Sequence, residues 1–235
     1  MKKFKLTSEF IVDISGVKLF RIKALIEFGN VKAGDLGGYI EKEENLSHMG
    51  DAWVSDDARI SGNAQVFGNA QVFGNAQVFG DAWVFGNARV FGNARVSGDA
   101  QVFGDAQVFG DAQVFGDARV FGNAWVSGNA RVFGDAQVSG NARVSGNARV
   151  SGDAQVFGDA RVSGDKDYAY AHGFGSCNRT TTFFRLKDGD VGVRCGCFYG
   201  TLAQFRDKVC ETHGETKKAQ EYLMLADLME IRFKN

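Results

Sequence analysis

Between residues 50 and 163 the apolar and polar positions of the chain repeat with a period of six. The phrase Gly-(Asn/Asp)-Ala-(Gln/Arg/Trp)-Val-(Phe/Ser) runs nineteen times without a break. Alanine holds its place in every hexad, from Ala52 to Ala160, and valine in eighteen of them, with Ile60 the exception. The two stand two residues apart, so in an extended segment both point to one side and the residue between them points to the other. That residue is Gln eight times, Arg eight times and Trp three times (Trp53, Trp83, Trp125). Burying eight arginines in a narrow core is prohibitive, so alanine and valine face inward. Gly followed by Asn or Asp supplies a bend, these being the residues that enter the left-handed region cheaply. A short strand and a bend every six residues coil the chain. Three such sides close a triangular solenoid with 18 residues per coil, the plan of a parallel β-helix. Nineteen hexads make a little over six coils, a rod of roughly 30 Å at ~4.8 Å per coil.

The ends lack this period. Phe10, Val12 and Ile14 alternate before a Ser15-Gly16 turn, and Phe20, Ile22, Ala24, Ile26 and Phe28 alternate after it, so residues 1–37 read as a small β unit. In the degenerate hexads 38–43 and 44–49, Ile40 and Leu46 stand where alanine is expected. Terminal repeats of a solenoid must cap an open edge and are atypical, so residues 1–49 are the expected N-terminal β cap. The β-helix is expected over 50–164 and a separate module over 165–235. In that module, segments 180–186 and 191–198 predict two strands around the turn Lys187-Asp188-Gly189-Asp190. Thr201 and Gln204 form a capping box opening a helix that carries Leu202, Phe205 and Val209 and stops near Gly214. A second helix follows, with Ala219, Tyr222, Leu223, Ala226 and Met229 at helical spacing. The expected module is ββαα, and it can cover the open last coil.

Composition changes this picture little. The net charge of −1 gives no sign of nucleic acid or an anionic membrane as partner, and no apolar run approaches the ~20 residues that span a bilayer. With no secretory signal, and with its four cysteines all in the last 60 residues, the chain reads as cytoplasmic. Proline is absent, as expected where nearly every backbone N–H serves a ladder.

Read by columns, the three sides differ. Side three carries Phe67, Phe85, Phe103, Phe121, Ser139 and Phe157 outward, and its bends stack as Asn63, Asp81, Asp99, Asp117, Asp135 and Asp153. The phenylalanines suit a stabilising ladder of like side chains and equally an assembly strip joining copies as a dimer or trimer. The aspartates suit solvated turns, a bound cation or a basic partner.

Two groups outside the array could carry chemistry. Cys195 and Cys197 share one face of a predicted strand, and Cys210 and His213 share one face of a predicted helix. Together they could ligate a structural zinc ion; the alternative is thiols packed against the helix, with no cofactor. Ser176, Asn178, Arg179, Thr180, Thr181 and Thr182 form a run of hydroxyl and cationic groups. It suits a turn or a site for a small anion such as a nucleotide.

The aliphatic residue followed four places later by a small one, as in Val54 to Ala58 and Val66 to Ala70, resembles the hexapeptide-repeat family with the left-handed parallel β-helix fold. That resemblance, not the spacing, implies the hand. The family's enzymes are acyltransferases with a catalytic histidine, and carbonic anhydrases that bind metal through histidines. Residues 50–163 contain no histidine, the three being His48, His172 and His213. No inserted loop interrupts the array, so the family's activity does not carry across. The segments 35–47 and 195–202 resemble those of phage- and prophage-encoded hexapeptide-repeat proteins, which implies a mobile-element origin and action in a host cytoplasm. The expected function is a non-enzymatic, self-associating rod. Its C-terminal module would bind a host protein or a small anionic, nucleotide-like ligand, with countering of host defence as the expected role. The alternative is an acyl-CoA-dependent acyltransferase working between subunits.

Overall fold

The structure, a computed structural model, describes residues 2–175 and 179–234. Each hexad of the array forms a two-residue strand, from Trp53–Val54 to Arg161–Val162. Strands eighteen residues apart pair in parallel, as Arg89 with Gln107 and Gln101 with Arg119. Side one is a seven-stranded sheet and side three a six-stranded sheet; side two is nine-stranded because three N-terminal strands join it. The chain is mainly β, a triangular parallel β-solenoid as the period of six requires. Every array alanine and valine is buried, none more than 1% exposed, and each buried valine contributes about 1.5 kcal/mol or more.

Within each parallel pair the hydrogen bonds run both ways between coils, and those that flank the two-residue strands share one direction. In these, the N–H groups of each coil donate to carbonyls of the next, as from Gln101 to Ala118 (2.9 Å) and from Phe103 to Val120 (3.0 Å). The flanking carbonyls of the first coil and the flanking N–H groups of the last therefore need partners from the ends of the chain. The corners need the left-handed conformation: Gly104 has φ +71°, and a Cβ there would lie 3.0 Å from the backbone nitrogen of Gly122. In the second hexad Asp56 takes the glycine place at φ 56°.

The flanking carbonyls of the first coil are met in three ways. On side two, β1 (Phe4–Val12), β2 (Lys18–Ala24) and β3 (Leu36–Ile40) form an antiparallel set. β3 pairs in parallel with Arg59–Ile60, so that the Tyr39 N–H reaches the Ala58 carbonyl. On side one the buried Lys3 ammonium donates to the Ala52 carbonyl at 2.7 Å and to that of Gly50 at 3.2 Å. On side three the buried Asn45 amide donates to the Ala64 carbonyl at 2.8 Å and to that of Gly62 at 3.1 Å.

The register of this cap differs from expectation. Ile40 pairs with Ile60 and Leu46 with Val66, twenty residues on, so both hold the valine place rather than the alanine place. The two extra residues fall between Leu46 and Val54, where His48 stacks on Phe4 at 4.3 Å. β2 also ends at Ala24, before Ile26 and Phe28.

At the other end the module is ββββαα rather than ββαα. The strands Tyr168–Phe174, Arg179–Arg185, Val191–Cys195 and Phe198–Thr201 form one antiparallel sheet in chain order. Helices α1 (Leu202–His213) and α2 (Lys217–Phe233) follow, and Thr201 caps α1 as its spacing implies. Alternation splits this sheet. Phe183 and Val193 join Phe205, Val209, Tyr222 and Met229 in a core beneath the helices, while Phe184 joins the solenoid core. The opposite face closes the rod, with Gln155 N–H donating to Thr182 Oγ1 at 2.9 Å, and ahead of the sheet Arg149 N–H donates to Asp165 Oδ1 at 2.8 Å. Among the described residues no helix is long and apolar enough to cross a membrane.

Candidate functional site: a cationic cleft in the C-terminal module

The strand expected over 191–198 stops at Cys195. Gly196 and Cys197 form a two-residue turn, and Phe198 pairs back with Cys195. Gly196 sits at φ +58°, the sign that the first central place of such a hairpin turn requires. A Cβ there would run into the Arg179 guanidinium, so the glycine also lets Arg179 lie against the turn. Cys195 and Cys197 consequently do not share one strand.

This turn forms one wall of a cleft of about 210 Å³. The other wall is the last two turns of α1, with Lys208, Thr212 and His213, and Phe198, Phe205 and Tyr222 supply aromatic surface. The rings of Phe198 and Tyr222 lie 5.5 and 5.7 Å from that of Phe205, and His213 lies 5.8 Å from Tyr222. Arg179, Lys208 and His213 thus converge where no carboxylate is among the lining residues. Lys208 makes an exposed ion pair with Glu211 at 2.8 Å, which screening by water leaves weak.

The proposed zinc ligands are divided. Cys195, Cys197 and His213 line the cleft, and Cys210 lies exposed outside that lining. The Cys195 thiol accepts from Thr181 Oγ1 at 3.2 Å. Among the described residues no three His, Cys, Asp or Glu side chains are grouped to hold a metal ion.

The hydroxyl run is divided as well, because a strand sends successive side chains to opposite faces. Arg179 faces the cleft, Thr181 is buried against Cys195, and Thr182 is buried at the rod's end. Thr180 pairs with His172 Nδ1 at 2.9 Å. Ser176 and Asn178 lie outside the described residues. Sequence reading missed Lys208, Thr212 and Tyr222. The first two share a face of α1 with His213, but nothing in the sequence announces the hairpin opposite.

On the rod, Phe67, Phe85, Phe103 and Phe121 stack face to face at 4.8–5.0 Å with their planes within 5°. The ladder reading of these residues is what the structure displays. Phe157, beyond the buried Ser139, instead meets the edge of Tyr199 at 5.1 Å. Shorter ladders stand on the other sides, as Phe73–Phe91–Phe109 and Phe115–Phe133.

The three parallel sheets, the eighteen-residue pairing and the alanine–valine core define a β-solenoid repeat protein. Its repeats match the family model of the YdcK beta solenoid repeat over residues 58–74, 82–98, 88–104, 112–128, 124–140 and 136–152. The chain is a β-solenoid repeat protein whose repeats are similar, over these stretches, to the YdcK beta solenoid repeat. No curated protein matches it.

Proposed function

We propose that the protein is a non-enzymatic β-solenoid scaffold whose C-terminal module holds a small phosphorylated ligand in the cleft between the Cys195–Phe198 hairpin and α1. The observation that carries this reading is the convergence of Arg179, Lys208 and His213 in a cleft lined by no carboxylate. A guanidinium and an ammonium make strong charge-assisted bonds to phosphate oxygens, and the aromatic surface suits a ring attached to that phosphate. At about 210 Å³ the cleft is smaller than typical enclosed ligand sites. It fits a phosphate with part of a mononucleotide and is too small to enclose an acyl-CoA.

Calorimetric titration of the full chain with inorganic phosphate, AMP, GMP and their cyclic forms tests the reading. At least one of these should bind, and Arg179→Ala or Lys208→Ala should each weaken it by about 10–100-fold, the worth of a charged hydrogen bond. No binding across the panel, or binding indifferent to both substitutions, refutes it.

A further inference from the structure

Side three differs from the other two faces in its charge. Along side one, Asn69 donates its amide to Asn87 and Asn87 to Asp105. Along side two, Asn75 donates to Asn93 and Asn93 to Asp111. Asp105, Asp111 and Asp159 end amide ladders there, each accepting from the residue below. On side three Asn63 donates to Asp81 at 3.1 Å, and then Asp99, Asp117, Asp135 and Asp153 follow one another with no amide between them. The middle outward place on this face holds one arginine, Arg119, where side one has three and side two has four. The fold does not demand this, because asparagine fills the same place elsewhere.

Both ends of this bend column, Asn63 and Asp153, are already met by basic side chains of the chain. Lys42 Nζ donates to Asn63 Oδ1 at 3.0 Å, and His172 Nδ1 lies 3.7 Å from Asp153 Oδ2. At the upper end the Arg194 guanidinium also covers the Phe157 ring, 5.2 Å from its centroid. The terminal segments thus place an ammonium on Asn63, an imidazole beside Asp153 and a guanidinium on the phenylalanine column. Between those ends, Asp81, Asp99, Asp117 and Asp135 make no ion pair among the described residues, and the four-ring ladder has no cation over it.

A second copy is a poor occupant. In an isologous contact the two-fold axis lies in the plane of the joined faces. Set across the rods, it lays aspartate on aspartate; set along them midway between the two columns, so that the whole face is covered, it lays aspartate on phenylalanine. Either way the carboxylates lose water without gaining a cation.

We propose that side three, from Phe67 to Phe121 and from Asp81 to Asp135, docks a basic polypeptide segment. Its arginines stack on the phenylalanine ladder, as Arg194 does on Phe157, and its charges pair with the aspartate column. The face stands apart from the cleft, so this proposal and the phosphate reading succeed or fail separately.

The repeat itself supplies test variants, since serine and asparagine already occupy these places elsewhere in the array. A fluorescein-labelled (Arg-Ser)8 peptide is titrated by anisotropy at 50 and 300 mM salt. Asp99→Asn/Asp117→Asn/Asp135→Asn and Phe85→Ser/Phe103→Ser should each weaken binding at least tenfold. Asp105→Asn/Asp111→Asn and Phe73→Ser/Phe91→Ser, on the other sides, should change it less than twofold. No binding overturns the proposal, as does an equal loss in both sets or indifference to Phe85→Ser/Phe103→Ser. So does a dimer in sedimentation that Phe85→Ser/Phe103→Ser dissociates, which would make a second copy the occupant.

Discussion

Asn45 is a single side chain standing in for a missing strand, and its removal has a calculable effect. The residue has no exposed surface. Its amide donates to the carbonyls of Ala64 and Gly62, and its Oδ1 accepts the Lys42 N–H at 2.9 Å. Asn45→Ala strips the partner from all three backbone groups. An unsatisfied buried polar group costs about 1–3 kcal/mol. The Ala64 carbonyl carries the full cost, while water can reach the partly buried contacts at Gly62 and Lys42. The loss is therefore about 2–4 kcal/mol. In a stack where each coil touches only its neighbours, this loss falls on the nearest coil and not on the whole rod. Hydrogen exchange followed by mass spectrometry separates the two cases. The amides of Ser47, Asn63 and Gln65, which bridge the first coils, should exchange roughly 30–1000-fold faster, from 1.4 kcal/mol per tenfold. Those of Gln137 and Arg143 should be unchanged. Asn45→Asp should cost at least as much, because it sets a carboxylate oxygen against two carbonyl oxygens. A change below about threefold near residues 62–66, or equal loss of protection at both ends, refutes the reasoning.

Gly104→Ala forces a non-glycine residue to φ +71° and brings its Cβ to 3.0 Å from the nitrogen of Gly122. It should lower stability in urea by about 1–3 kcal/mol, against less than about 0.5 kcal/mol for Ser97→Ala on the surface. The ammonium of Lys3 makes a different test. Burial lowers its pKa from 10.5 to about 8, against the opposing pull of Asp51. Below pH 8 both folded and unfolded chains hold the proton and the cost of burying it is complete. From pH 8 to 10.5 the folded chain releases it first, so stability rises. Relative to Lys3→Met, the native protein should gain up to about 3 kcal/mol across that interval. Thermal melts at pH 7.5 and 10 read this, and parallel curves for the two proteins would contradict it.

The array was fully legible in the sequence because its period is short and its inward places hold alanine and, apart from Ile60, valine. The ends were legible in part. Ile40 and Leu46 were assigned to the alanine place by counting back in sixes, but the count fails across the two residues inserted before Val54. The alternation of Tyr168 and Tyr170 with Ala169 and Ala171 carried the signal for the first strand of the module, but it was short and lay directly after the repeat. Cys195-Gly196-Cys197 looked like a continuation of a strand, although the glycine was available as a turn. The cleft was the least legible feature. Arg179, Lys208 and His213 lie far apart in sequence and meet only because the Cys195–Phe198 hairpin folds towards α1.

The attachment of each end segment to one particular side has a consequence for how this chain can change length. The N-terminal hairpin is tied to side two, Lys3 to side one, Asn45 to side three, and Thr182 to the Gln155 edge. Gain or loss of one hexad would turn everything beyond it by a third of a revolution and set the C-terminal module over the wrong side. Gain or loss of three hexads leaves every attachment in phase and moves the two ends apart or together by one ~4.8 Å step. The rod is therefore a ruler with discrete graduations, and its permitted lengths differ by eighteen residues.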